Sequence, residues 1–85
     1  MKVTVRLGEP FWRTVGAREV EIDLNDGATV ADALNALGQR YPALAAELDG
    51  AEARPALFVN DDEAQPDSQV FDAATVFILW PVSGG

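Results

Sequence analysis

The residues with the most specific chemical potential close the chain: Pro81-Val82-Ser83-Gly84-Gly85. Gly84 and Gly85 lack a Cβ and accept almost any backbone conformation, so they hold the terminal carboxylate on a thin, flexible stalk. Such a stalk suits activation of the C-terminus itself, in which another enzyme threads the tail along a narrow channel and presents its carboxylate to ATP. Side chains near the end would obstruct that threading. Just upstream, Leu79 ends the most hydrophobic strand of the chain, and Pro81, which has no N–H for a ladder, ends its pairing. The bland alternative is a pair of glycines fraying at a terminus.

The rest of the composition narrows what else the chain can do. Its 85 residues contain neither Cys nor His, which removes thiol and imidazole nucleophiles, the usual general base and the ligands of a structural zinc site. Most self-contained catalytic mechanisms are thereby excluded. Fourteen acidic against six basic residues give a net charge of −8, which repels phosphate backbones and anionic lipid, so no direct nucleic-acid partner is expected. The same charge steers the domain toward a basic protein surface, or serves solubility alone. No basic segment precedes an apolar one at the start, and the longest apolar run, Val76 to Val82, is too short to span a bilayer; a soluble, cytoplasmic protein with no membrane partner is expected. Asp61, Asp62, Glu63 and Asp67 lack the alternating oxygens and glycine of a calcium loop and read as a solvated turn, so no metal is assigned.

The elements that must carry the tail follow from periodicity. Met1 to Leu7 alternates, with Val3, Val5 and Leu7 on one face and Lys2, Thr4 and Arg6 on the other; Arg18 to Leu24 repeats the pattern with Val20, Ile22 and Leu24 against Glu19, Glu21 and Asp23. These predict two antiparallel strands joined by a loop from Gly8 to Gly16, in which Phe11 and Trp12 fold over the core edge. Asn25-Asp26-Gly27 is a turn, Thr29 caps a helix with Asp32 at its third position, and Val30, Ala33, Leu34, Leu37 and Tyr41 form its apolar stripe. The helix ends before Pro42, and Ala43 to Leu48 supplies a second short turn. After a polar connection over 49–55, Ala56 to Asn60 predicts a third strand, with Phe58 facing away from Leu57 and Val59. Pro66 leaves the following residues as a short edge strand or loop, and the last strand starts at Thr75.

This order is that of an α+β β-grasp, or ubiquitin-like, fold: a mixed sheet of four to five strands covered by one main helix. The chain forms one domain, 1–85, with residues 81–85 as its flexible tail. A helical crossover sets the last strand parallel beside the first, at the centre of the sheet, which fixes where the tail leaves. Val3, Val5, Val20, Ile22, Leu57, Val59, Val76 and Ile78 are then buried against Val30, Leu34 and Leu37. Thr4, Arg6, Phe58, Phe77 and Leu79 gather on the opposite face beside the tail, as a docking surface.

The tail, an apolar strand followed by Pro81-Val82-Ser83-Gly84-Gly85, resembles the MoaD/ThiS family of ubiquitin-like sulfur carriers, whose members typically end in Pro-Pro-Val-(Ala/Ser/Thr)-Gly-Gly; Trp80 stands here where a first Pro is usual. Thr29-Val30, Ala33-Leu34, Leu37 and Tyr41-Pro42 also match the family's helix. What the resemblance implies is a cosubstrate with no active site of its own. Gly85 supplies the carboxylate that is adenylated and then thiocarboxylated, Gly84 is the flexible joint, and Pro81, Val82 and Ser83 belong to the stretch gripped by partners. Arg6, Phe58, Phe77 and Leu79 are the expected partner-binding residues. No cofactor is bound, and ATP is used by an adenylating enzyme of the MoeB/ThiF type. Sulfur then passes to a molybdopterin synthase large subunit in molybdenum cofactor synthesis, or to another acceptor in thiamin, tRNA or cysteine pathways. A second reading conjugates Gly85 to target lysines, as in archaeal small modifier proteins; a third is a β-grasp interaction module without chemistry.

Overall fold

Residues 1–50 and 55–80 are described by the computed structural model of the chain. Strict alternation produces the sheet. In β1 (Lys2–Leu7) and β2 (Glu19–Asp23) the apolar residues pair in register, Val3 with Ile22 and Val5 with Val20, so one face of the hairpin is wholly apolar. β5 (Thr75–Leu79) runs parallel to β1, with Val5 beside Val76 and Leu7 beside Ile78. β3 (Ala56–Val59) pairs antiparallel with β5, placing Leu57 beside Ile78 and Val59 beside Val76, and β4 (Asp62–Glu63) adds a short edge. The order is β2-β1-β5-β3-β4, a five-stranded mixed sheet with the tail-bearing strand at its centre, as alternation and the crossover predict.

The helical cover is larger than the sequence suggests. α2 (Val30–Arg40) starts at a full capping box: the Thr29 Oγ1 accepts the Asp32 N–H at 3.3 Å, and the Asp32 carboxylate accepts the Thr29 N–H at 2.9 Å. Two more of its otherwise unpaired first-turn donors are met by the segment after Pro66: Val30 N–H donates to Ser68 O and Ala31 N–H to Pro66 O, at 2.9 and 2.8 Å. That segment is therefore mostly a loop, with a single bridge between Gln69 and Thr29, and the short edge strand lies before Pro66 rather than after it. The second turn is a proper helix, α3 (Pro42–Asp49), with Pro42 at its first position where no N–H is needed.

The stretch from Gly8 to Gly16 departs most from expectation. It contains α1 (Phe11–Val15), stopped by Gly16 in the left-handed region at φ 88°, whose N–H returns to Trp12 O at 2.8 Å. One turn of helix is too short to leave a periodic trace in the sequence. Phe11 is completely buried, not merely at the core edge.

The core joins these layers: Val3, Val5, Val30, Leu37, Leu44, Val76, Ile78 and Phe11 are all fully buried. Leu34, expected here, is only half-buried. α3 folds back against α2 and α1, and Leu44 enters the centre from it, so the main helix α2 is joined in the cover by two shorter ones. Gly38 allows the close approach of α2 and α3, since a Cβ there would lie 3.1 Å from the Cβ of Ala45. On the open edge of the sheet, Arg40 Nη1 donates to Glu21 O at 3.0 Å.

Candidate functional site

The site is best built outward from β5. Alternation turns Phe77 and Leu79 away from the core, and the parallel register sets Arg6 of β1 beside Phe77 while β3 sets Phe58 on its other side. Arg6 is held from two directions: its Nε lies 3.1 Å from Glu19 Oε1, and its guanidinium sits 5.6 Å from the centre of the Phe77 ring. Arg6, Leu7, Gly8, Phe77 and Leu79 line a shallow hollow of about 240 Å³. Leu79 is 39% exposed and Trp80, immediately beyond it, 40%. The structure thus brings all four partner-binding residues expected from the sequence, Arg6, Phe58, Phe77 and Leu79, onto one surface. Thr4 is on it as well, beside Thr75. Pro81, Val82, Ser83, Gly84 and Gly85, the reacting end and its grip, lie outside the described residues.

Sequence reasoning missed how the base of the tail is held. Gly8 N–H donates to Ile78 O at 2.9 Å and Gly8 O accepts the Trp12 N–H at 3.2 Å, so the end of β1, the start of α1 and the end of β5 meet at one residue. A Cβ on Gly8 would lie 2.8 Å from Leu79 Cδ2, so a side chain there would displace the exposed Leu79 side chain. The Phe11 ring then faces Trp80, centroids 5.8 Å apart and planes tilted by 54°. The only hint in the sequence is a glycine directly after an alternating strand, with an aromatic pair close behind.

α1 also gathers charge. The guanidiniums of Arg18 and Arg13 lie 4.5 and 5.2 Å from the Trp12 ring, and Arg13 Nη2 donates to Glu9 Oε1 at 3.1 Å. That hydrogen bond, assisted by the Arg13 charge, holds the Glu9 carboxyl below the ordinary glutamate range. At the other end of β5, Asn60 takes a left-handed conformation, φ 53°, and its Oδ1 accepts the Thr75 N–H at 3.0 Å, which sets where the strand begins. Phe71, near that end, is 52% exposed. Among the described residues no three ligating side chains converge on a metal-sized site, and no helix is long and apolar enough to cross a membrane.

A central parallel strand delivering the chain end from a five-stranded sheet, with helices on one face and an arginine-edged apolar surface on the other, defines a ubiquitin-like β-grasp protein. Within that class the chain belongs to the ThiS family, whose profile matches residues 5–85. No curated protein matches it by sequence. Among solved structures it is similar to the small archaeal modifier protein 1 of Haloferax volcanii, 28% identical over 100% of both chains with a TM-score of 0.87. It is also similar to a chain of the BexX/CysO complex of Amycolatopsis orientalis, 27% identical over 98% of this chain and 99% of that one, TM-score 0.76. A third likeness is to a chain in the complex of subunits 1 and 2 of the molybdopterin-converting factor from Helicobacter pylori, 26% identical over 100% of both, TM-score 0.65. The chain is thus a ubiquitin-fold protein of the sulfur-carrier or small-modifier kind.

Proposed function

We propose that the chain is a sulfur carrier. Its Gly85 carboxylate oxygen attacks the α-phosphorus of ATP in a MoeB/ThiF-type partner, releasing pyrophosphate and leaving an acyl-adenylate. The outer sulfur of a persulfide displaces AMP, and a second thiol cleaves the S–S bond to leave a thiocarboxylate on Gly85. That sulfur is delivered to a molybdopterin synthase large subunit for molybdenum cofactor synthesis. The observation that carries this reading is the placement of β5, which sends a sequence ending in Gly84-Gly85 out of the centre of the sheet beside an apolar, arginine-edged surface. Protein partners are part of it, because two of the similar structures are complexes.

The likeness to the Haloferax modifier supports a second reading, conjugation of Gly85 to target lysines. Lys2 is the only lysine of this chain, exposed and 3.7 Å from Glu21 Oε2, so chains of the protein on itself could grow only there or at the α-amino group. Intact-mass spectrometry on protein recovered from its native cells separates the two. Replacement of one terminal oxygen by sulfur, without branched Gly85-to-lysine peptides after digestion, is the expected result; branched peptides on other proteins would establish the modifier instead. Deleting Gly85, or adding a residue after it, is expected to abolish activation and leave the fold intact, because the reacting carboxylate is displaced from its position for attack.

A further inference from the structure

The base of the tail shows a device that neither reading requires and that bears on both. Trp80 follows β5 but is outside it, and among the described residues its one aromatic contact is Phe11. Phe11 is itself immobilised: it is fully buried, and its helix is tied at Trp12 N–H to Gly8 O, while Gly8 N–H is tied to Ile78 O. The indole of Trp80 therefore rests on a surface fixed to the core by two backbone hydrogen bonds and a buried ring. Trp80 is 40% exposed, so the part of the indole withdrawn from water owes that to its neighbours at the root of the tail, Phe11 among them.

We infer that Trp80 is a positioning residue: seated on Phe11, it fixes the point and direction at which the chain leaves the sheet at residue 80, so that a docked partner meets the tail at a fixed root. The inference rests on the proposed activation of Gly85. Without this seat, residue 80 is a free pivot one step beyond the last strand residue. Orientation lost at the pivot reduces the fraction of docked complexes whose carboxylate stands near the α-phosphorus, which lowers the rate of chemistry and leaves docking through the sheet face unchanged.

Trp80→Ala and Trp80→Phe, in the full chain, test this. Backbone ¹⁵N relaxation is expected to show the order parameters at residues 79 and 80 falling from about 0.85 toward 0.6 or below in the alanine variant and returning with phenylalanine, which keeps a ring against Phe11. With the cognate activating enzyme, pyrophosphate release by the alanine variant is expected to drop about tenfold in kcat with KM within about twofold, and the phenylalanine variant to recover most of it. Unchanged relaxation in the alanine variant overturns the seat. A raised KM at constant kcat also overturns positioning, because Trp80 would then be touching the partner directly. Should the alanine variant not fold, Trp80→Leu, which keeps apolar volume without a ring, carries the same expectations. If the wild-type chain itself releases no pyrophosphate, the carrier reading falls, and the relaxation measurements still decide the seat.

Discussion

Along β5, neighbouring residues live under different rules. Val76 and Ile78 are sealed completely between the sheet and the helices, whereas Phe77 is half-buried and Leu79 is 39% exposed on the opposite face. On the sealed face every position is determined by volume, since a methylene removed there leaves a gap the core cannot close. On the open face, positions are determined by pairing: Phe58 beside Phe77, Arg6 over Phe77, Glu19 against Arg6. One strand thus carries stability on one side and recognition on the other, and the two should come apart under mutation.

The largest separation is expected from the sealed side. Ile78→Ala should cost about 2–5 kcal/mol, as should Leu44→Ala, while Leu34→Ala should cost clearly less because its side chain is only half-buried. Denaturant melts of the three variants check this, and a Leu34 penalty equal to that of Leu44 would contradict the three-helix cover. Leu79→Asp is the matching probe of the open side. It should change stability by about 0.5 kcal/mol or less and strongly weaken binding of the activating enzyme, measured by calorimetry. A folded Leu79→Asp variant that binds as wild type would leave the open face without a role in docking.

The smallest effect is one of pH, and it concerns the rim rather than either face. Because Arg13 lowers the Glu9 carboxyl in the folded state, the ion pair contributes above the ordinary glutamate value near 4.5 and is lost as pH falls through the lowered one. Both residues are exposed, so the effect on melting should be slight. NMR titration of the Glu9 side chain should give a midpoint below 4.5 that moves back toward it in Arg13→Ala; an identical midpoint in both would remove the pairing.

Much of this division was legible in the residues. The alternation of Val3, Val5 and Leu7 with Lys2, Thr4 and Arg6 sets faces without knowledge of neighbours, and the crossover rule then sets β5 between β1 and β3. Arg6, Phe58, Phe77 and Leu79 could be grouped in advance for the same reason. What escaped depends on contacts across long stretches of chain. Leu44 outranks Leu34 only because α3 folds back past Pro42 and Gly38 lets it lie close, which no local period encodes. α1 is tied to the end of β5 through Gly8 and packs against α3, so its placement follows from contacts remote in sequence. The contact of Trp80 with Phe11 joins the two ends of the chain, and no local pattern encodes it.

The contact of Arg40 with the Glu21 carbonyl has a consequence for life at high concentration. Leu7 bonds to Arg18 across the hairpin, so the intervening residues Glu19, Glu21 and Asp23 turn their backbone groups to the open side of β2, where a foreign strand could add. Arg40 occupies the middle acceptor, and the net charge of −8 opposes the approach of another copy of this chain. The far edge, β4, is two residues long and both are acidic. Another strand adding to the sheet would meet an arginine in place of a free acceptor at one edge and a pair of carboxylates at the other.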